Sequence, residues 1–587
     1  VPRVSPRPAP LCLAALALAV TLVPGSARAN AGPGVQTSTV AEATHDAPPL
    51  VDAQPAASAP PALVTDALGL RLTLEPRLEQ RVRHQLMSPL SLSDRTAPEL
   101  AYFDQRLRAG LGLGLGDKVR VVVLADVLND VAFGDNGSFT GVPQKNRGSV
   151  VATRQPNLTK LGVGRLSAAG GALDRNNYGL VFVEAPPVEL RHLYGEIMLP
   201  FGLLRAGRMP LGFGRSVLVH DGTRINRWGV SGRGDYADGV AFGTKLSAIA
   251  DAAMGRPIDI DPTRGLFAAF LAGQMTTNLG TVAGDALVQL VGTVWYEQRD
   301  LALGPVGLQR LRAGLIYATR GQEKFDTRVH TLTGYLEATS GPVRFTWHHA
   351  QMFGGTREIS EGLALLGTSS GPAARQDLRA FGGLAELAVR LCSALELSFE
   401  VFYASGDDDP RSTTPLTQLT FAEDTNVGLH LVKNVIGYQT ARSAALGVEN
   451  LRAVSPPTMA VNEIDTRGAF QNGVALFPQV IVDPLPWLSL RAGALFMFAA
   501  SPVVDPIGTI LRADGNRIDD DAVNFAGGKP ASYWGTELDL GLTVRPVPHA
   551  QLDLEGAYLL PGDALRDENG DAVRSLFVTT RATLFWD

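Results

Sequence analysis

Few strings in this 587-residue chain have residue types and spacing that could do covalent chemistry. Gly367-Thr368-Ser369-Ser370-Gly371 fits the G-x-S-x-G pattern of a nucleophile elbow, which needs a strand before the serine and a helix after it. Here the string lies in a Gly/Ser segment followed by Pro372-Ala373-Ala374, so a loop is the better reading. Asp567, Asn569 and Asp571 begin like a calcium loop, but Ala572 stands where the invariant glycine belongs and Val578 where the bidentate glutamate belongs. They are a weak loop candidate, and no resident metal is expected. Gly110, Gly112, Gly114 and Gly116 alternate with leucines and lack the following Lys-Ser/Thr of a phosphate loop; they read as a strand with one small face. With no catalytic constellation, the chain is expected to be neither an enzyme nor the holder of a cofactor.

The remaining chemistry is electrostatic. Arg310, Arg312, Glu396, Glu400, Arg491, Glu537, Asp539, Arg545, Asp553, Glu555 and Arg581 each occupy every-other positions between apolar residues. If the segments are strands, all of these charges share one face. Charged rows lining a pore set its selectivity. The signs here are mixed, so an ion-pair lattice along the wall is as good a reading as a selectivity filter.

The elements that must carry these residues are amphipathic strands. In residues 549–560, Leu552, Leu554, Gly556, Tyr558 and Leu560 fall on one face, and Gln551, Asp553, Glu555 and Ala557 on the other. The segments at 310–317, 395–403, 488–498 and 537–545 alternate likewise. Lengths of roughly ten residues suit tilted strands crossing a bilayer. Short turns, such as Gly116-Asp117, Pro200 to Gly202, Ser340 to Pro342, Asp483-Pro484 and Pro546 to His549, alternate with longer polar connections at 134–187, 214–236, 353–376, 404–465 and 500–531. This rhythm fits an up-and-down transmembrane barrel with short periplasmic turns and long outer loops. Counting segments gives an antiparallel all-β barrel of about 18 strands, between 16 and 20. Ser575 to Trp586 is a final aromatic-ended strand suited to closing the barrel against the first.

The beginning of the chain supplies the compartment. Arg3 and Arg7, the apolar run Leu11 to Pro24, and Ala27-Arg28-Ala29 are the three parts of a secretory signal, with cleavage expected after Ala29. Residues 30–66 form an Ala/Pro-rich leader, and the barrel is expected over 67–587. The net charge of −6 deepens by three when Arg3, Arg7 and Arg28 leave, which argues against nucleic acid as a partner. No later apolar run is long enough for a spanning helix. Destination and partners follow: the outer membrane of a Gram-negative cell, its lipid and lipopolysaccharide, and the barrel-assembly machinery through the last strand.

Tyr403-Ala404-Ser405-Gly406-Asp407-Asp408-Asp409-Pro410, Gly535-Thr536-Glu537-Leu538-Asp539-Leu540, Gly556-Ala557-Tyr558 and Pro561-Gly562-Asp563 resemble the alginate-export family of outer-membrane barrels. The resemblance covers roughly residues 380–587. It implies a porin-like barrel conducting a small solute or an exopolysaccharide passively. That family's strongly basic pore is not matched by the mixed charges above. A non-conducting barrel serving adhesion or envelope structure is the alternative.

Overall fold

A computed structural model describes residues 63–67, 70–90, 92, 100–116, 118–134, 188–222, 226–230, 234–259, 261–275, 288–303, 306–323, 325–357, 374–407, 414–438, 468–501, 531–567 and 569–586. The chain divides into two units, Val1–Ala47 and Pro48–Asp587, and all described residues fall in the second. The expected signal peptide and most of the leader therefore lie outside the described residues, as does the Ser369 string.

In chain order the strands are β1 (Leu63–Ala67), β2 (Leu70–Ser88), β3 (Leu100–Leu115), β4 (Val119–Gly134), β5 (Val188–Leu199), β6 (Gly202–Leu211) and β7 (Asp235–Lys245). A short helix, α1 (Leu246–Ala253), leads to β8 (Gly265–Met275), β9 (Val288–Leu303), β10 (Val306–Gln322), β11 (Thr327–Ser340), β12 (Val343–Thr356) and β13 (Gln376–Cys392). The series ends with β14 (Leu395–Ala404), β15 (Gly473–Leu485), β16 (Leu488–Ala499), β17 (Tyr533–Val547), β18 (Ala550–Pro561) and β19 (Ser575–Trp586).

Each strand from β2 to β19 pairs antiparallel with its neighbours in sequence, and β19 pairs back on β2 from Leu576↔Ser88 to Trp586↔Leu78. The result is a closed barrel of 18 strands, the number expected from the sequence. Closure leaves no open edge, which is the condition for a sheet to sit in hydrocarbon. β1 is a short extension that pairs with the start of β2, from Leu63↔Leu74 to Ala67↔Leu70. Strand structure thus begins inside the expected leader, where a Leu-Val-Thr run of good strand formers is available.

Alternation turns the barrel inside out relative to a water-soluble protein. Leu315, Tyr317, Phe381, Leu387, Phe399, Leu490, Phe496, Leu538, Leu552, Leu554, Leu576 and Trp586 are exposed on the outside, and Leu540 has 66 % of its surface free. The intervening positions, among them Glu386, Glu396, Glu400, Gln479, Glu537, Asp539, Thr543, Asp553 and Glu555, are buried on the inside. A continuous exposed apolar band of this extent belongs in lipid. No helix among the described residues is long and apolar enough to cross a membrane; the strands do so.

Two expected turns shift. Asp483 and Pro484 lie within β15, and the turn falls at Pro486-Trp487, because Asp483 N donates to Ala394 O of the neighbouring turn. β17 runs on to Val547, so the last turn is only Pro548-His549; pairing lapses around Pro546, which has no N–H to donate.

A larger correction concerns two long connections expected on the outer side. Residues 212–222, 226–230 and 234 of the β6–β7 connection and residues 414–438 of the β14–β15 connection fold into the barrel. Val217 and Trp228 from the first pack with Leu419, Phe421, Val427, Leu429, Leu431, Val432, Val435 and Ile436 from the second. They join Phe402, Phe477, Leu495, Met497, Trp534 and Phe577 of the wall in one buried cluster. The apolar content of these connections accounts for the placement, since water on the outside offers no surface to bury it against.

A charged lumen and the two segments seated in it

Every charge singled out from the sequence lies on the inner face, and most have a partner of opposite sign. Arg310 Nη2 and Arg312 Nε lie 3.2 and 3.6 Å from the two Glu297 carboxylate oxygens. Arg491 Nη2 and Arg581 Nη1 donate to Glu555 at 3.2 and 3.3 Å. Arg581 also pairs with Asp553 at 2.9 Å, and Thr543 Oγ1 donates to the same carboxylate at 2.6 Å. Arg545 Nε donates to Gln551 Oε1 at 3.2 Å. The ladder explains this: β17, β18 and β19 place Thr543, Asp553 and Arg581 directly opposite one another.

Glu396 and Glu400 belong to a larger hub that sequence pattern alone does not reveal. Its centre is Glu386 on β13, which pairs with Glu400 in the β13–β14 ladder. Glu386 accepts from Arg227 Nη2 at 2.7 Å and Arg344 Nη2 at 3.2 Å, and it is also bound by Arg215. Glu400 accepts from Arg215 Nη2 at 2.8 Å and Gln479 Nε2 at 2.7 Å. Glu396 meets Arg344 at 3.2 Å. Arg215 and Arg227 come from the inward β6–β7 connection, so buried ion pairs bind that segment to the wall. Burial by itself would lower the pKa of Arg215, but the facing Glu386 and Glu400 outweigh it and hold the guanidinium charged.

Glu537 has a different task. It is wholly buried, and its carboxylate accepts three successive backbone N–H groups of the second segment: Leu429 at 2.6 Å, His430 at 3.0 Å and Leu431. These donors open a single π-helical turn, Leu431–Ile436, and have no intrahelical acceptor. Gly428 makes the approach feasible: it sits at φ +70°, and a Cβ there would lie 2.6 Å from Glu537 Oε1. Asp539, two residues on, is equally buried and makes no ion pair among the described residues. His430, behind the latch, bonds through Nε2 to Ser575 Oγ at 2.7 Å, accepts from Asn434 Nδ2 at 3.3 Å and stacks on Phe577. Burial pushes its pKa down to about 3, so it stays neutral. The two segments also hold each other: Asn426 Nδ2 donates to Trp228 O at 2.8 Å and Gly234 N to Asp424 Oδ2 at 2.5 Å.

The opposite wall carries a row that the sequence reading passed over. Asp104, Arg106 and Arg108 alternate along β3 and face Glu79, Arg81 and Arg83 on β2. Arg83 pairs with Asp104 at 2.7 Å, Arg106 with Glu79, and Arg108 with Asp126 at 2.6 Å. Arg81 stands directly opposite Arg106, is 4 % exposed, and has no hydrogen bond or ion pair among the described residues. The alternation Asp-x-Arg-x-Arg was the available signal. Gly112 belongs to the same wall and leaves room for the Arg120–Glu75 pair; a Cβ there would come within 2.8 Å of Glu75 Oε2.

The remaining sequence candidates lead elsewhere. Asp567 Oδ1 accepts from Asn569 N at 2.9 Å and Asp571 N at 2.8 Å, so this carboxylate closes its own turn. No group of three metal-ligating side chains suited to an ion occurs among the described residues.

No protein-family model and no curated protein matches the chain. Solved structures are similar to it in architecture. They include OccAB1 of Acinetobacter baumannii, with 10 % identity over 87 % of this chain and 96 % of that chain and a TM-score of 0.43. OpdK of Pseudomonas aeruginosa, solved with vanillate, has 10 % identity over 87 % and 99 %, with a TM-score of 0.42. OccAB2 of Acinetobacter baumannii has 13 % identity over 87 % and 98 %, with a TM-score of 0.41.

Proposed function

We propose that this chain is an outer-membrane channel that passes a small charged or polar solute through a narrow, ion-lined lumen. The observation that carries the reading is Arg81 on the inner wall of a closed barrel whose outside is apolar: it stands directly opposite Arg106, with Asp104 and Glu79 nearby but no hydrogen bond or ion pair among the described residues. Like charges held directly opposite each other cost energy that a wall built only for stability need not bear. The positive potential of that pair, reaching into a water-filled passage, attracts anions and biases selectivity. The inward segments favour a small solute over a polymer. Export of a polyuronate, to which the resemblance of residues 380–587 points, asks for a wider and more basic lumen. On this reading the lipid partners are phospholipid and lipopolysaccharide, and β19 is the strand offered to the barrel-assembly machinery.

Single-channel recording of the refolded full chain in planar bilayers tests the proposal. Discrete conductance steps with an anion-biased reversal potential are expected. A second reading has its own observation: the buried cluster of the two inward segments favours a plugged barrel with an envelope-structural role. A protein that inserts yet gives no steps would establish that reading and end the first.

A further inference from the structure

The connection between β7 and β8 stands apart from its neighbours. At the same end of the barrel β3–β4, β5–β6, β11–β12, β13–β14, β15–β16 and β17–β18 are joined by tight turns. Residues 246–264 instead carry α1 and a structured return. At 100° per residue, Leu246, Ile249, Ala250 and Ala253 form one stripe of the helix, and all four are exposed. The buried residue, Ala248, lies on the opposite side. Met254, at the helix end, is exposed as well. The apolar stripe therefore faces away from the protein.

Strand parity gives the direction of that stripe. On β7 the outward row runs Val240, Phe242, Thr244, and its next member is Leu246. Phe242 packs edge-on against Phe201 of the adjoining turn with centroids 6.1 Å apart, and Leu266 opens the outward row of β8. These residues form the lower rim of the lipid-facing band, and the helical stripe continues it. The return limb is anchored on the other side. Lys245, on the inward row, pairs with Asp259 at 2.9 Å and donates to Asp261 O at 3.3 Å, and its ammonium lies over the inward Phe267 ring. Asp261 in turn accepts from Thr263 N at 2.9 Å and Thr263 Oγ1 at 2.7 Å. The charged limb is thus held beneath the pore wall, and α1 is left on the outer side.

We propose that α1 is an interfacial helix lying on the membrane leaflet at the short-turn end, with Leu246, Ile249 and Ala253 seated at the boundary between headgroups and acyl chains. The inference rests on the membrane-barrel reading above and on the continuity of the stripe with the barrel's lipid-facing surface.

The test uses the full chain with Cys12→Ser and Cys392→Ser, refolded into phosphatidylethanolamine/phosphatidylglycerol vesicles. Nitroxide labels are placed through Ile249→Cys, Ala253→Cys, Ser247→Cys and Leu540→Cys. Collision with oxygen, which concentrates in lipid, is compared with collision with a water-soluble nickel chelate. Ile249 and Ala253 labels are expected to favour oxygen several-fold over the Ser247 label, with Leu540 as the mid-bilayer reference; either stripe position suffices if the other variant fails to refold. Nickel accessibility at Ile249 and Ala253 equal to that at Ser247, with Leu540 in lipid, overturns the proposal while leaving the barrel intact. Dipolar broadening between Ile249 labels would overturn it in favour of a second copy of the chain. A water-accessible Leu540 label would refute the membrane-barrel reading, and this inference with it.

Discussion

Replacing Glu537 with alanine should release the inner segment at residues 429–431 without dismantling the barrel. One carboxylate there takes three backbone N–H groups, two on Oε1 and one on Oε2. Hydrogen bonds to a charged acceptor contribute roughly 1.5–3 kcal/mol each, and a buried donor left unsatisfied costs about 1–3 kcal/mol. Water can reach some of the vacated space, and removing a carboxylate next to Asp539 and Glu555 relieves like-charge repulsion, so the net local loss is about 3 kcal/mol. Because 1.4 kcal/mol is a factor of ten, amide hydrogen exchange at Leu429, His430 and Leu431 should quicken roughly 100-fold. Exchange in β17 and β18 should change little, because Glu537 contributes only its backbone to that ladder. Glu537→Gln keeps Oε1 for two donors and turns an amide N–H₂ towards Leu431 N, so its effect should be intermediate. Unchanged exchange at residues 429–431 in Glu537→Ala would refute the claim that this carboxylate latches the segment.

Gly428→Ala should loosen the same segment by about 1–3 kcal/mol, through backbone strain at positive φ and collision with Glu537, and the same exchange measurement reads it. Protonation of His430 should act as an acid trigger. Its pKa is about 3 in the fold against about 6.5 when unfolded, so its full contribution is present above pH 6.5 and is lost as pH falls towards 3. Exchange of the 429–436 amides should therefore rise below pH 6.5 after correction for intrinsic rates, and His430→Phe should flatten that rise. Glu386→Gln should strip Arg215 and Arg227 of their shared anion, destabilising the β6–β7 segment by roughly 3–5 kcal/mol, seen as new protease cleavage near Arg227. Arg81→Gln should shift the reversal potential in a salt gradient towards cation preference while leaving the barrel's heat-modifiable mobility on gels unchanged.

The wall was legible in the sequence because a strand's side-chain period is two whatever it packs against. Leu552, Leu554 and Tyr558 declare an apolar face, and Asp553 and Glu555 a polar one, from local pattern alone. Turn positions were less so: Pro484 looks like a terminator, yet it is accommodated near the end of β15 where the ladder shifts register. The contents of the lumen were hidden for a different reason. Arg215 and Arg227 find their partners 171 and 159 residues away at Glu386, and no periodicity reports such a contact. A partial signal existed in Val427 to Ile436, whose apolar residues suit a buried segment better than a water-facing loop. The charge on Arg81 is visible in the sequence, but that it faces another cation emerges only when the opposing strand proves to carry Arg106.

The Glu386 hub also bears on the order in which the molecule can be built. Arg215 and Arg227 precede β7, whereas Glu386, Ser398, Glu400 and Gln479 reside on β13, β14 and β15. The earlier segment has no anion to meet until a later third of the barrel has been laid down, and loop closure over such separations is slow. Until then its arginines stay hydrated. Furnishing of the interior therefore trails erection of the walls, and a pulse of protease during refolding should find residues near Arg227 open to cutting after the early hairpins are protected.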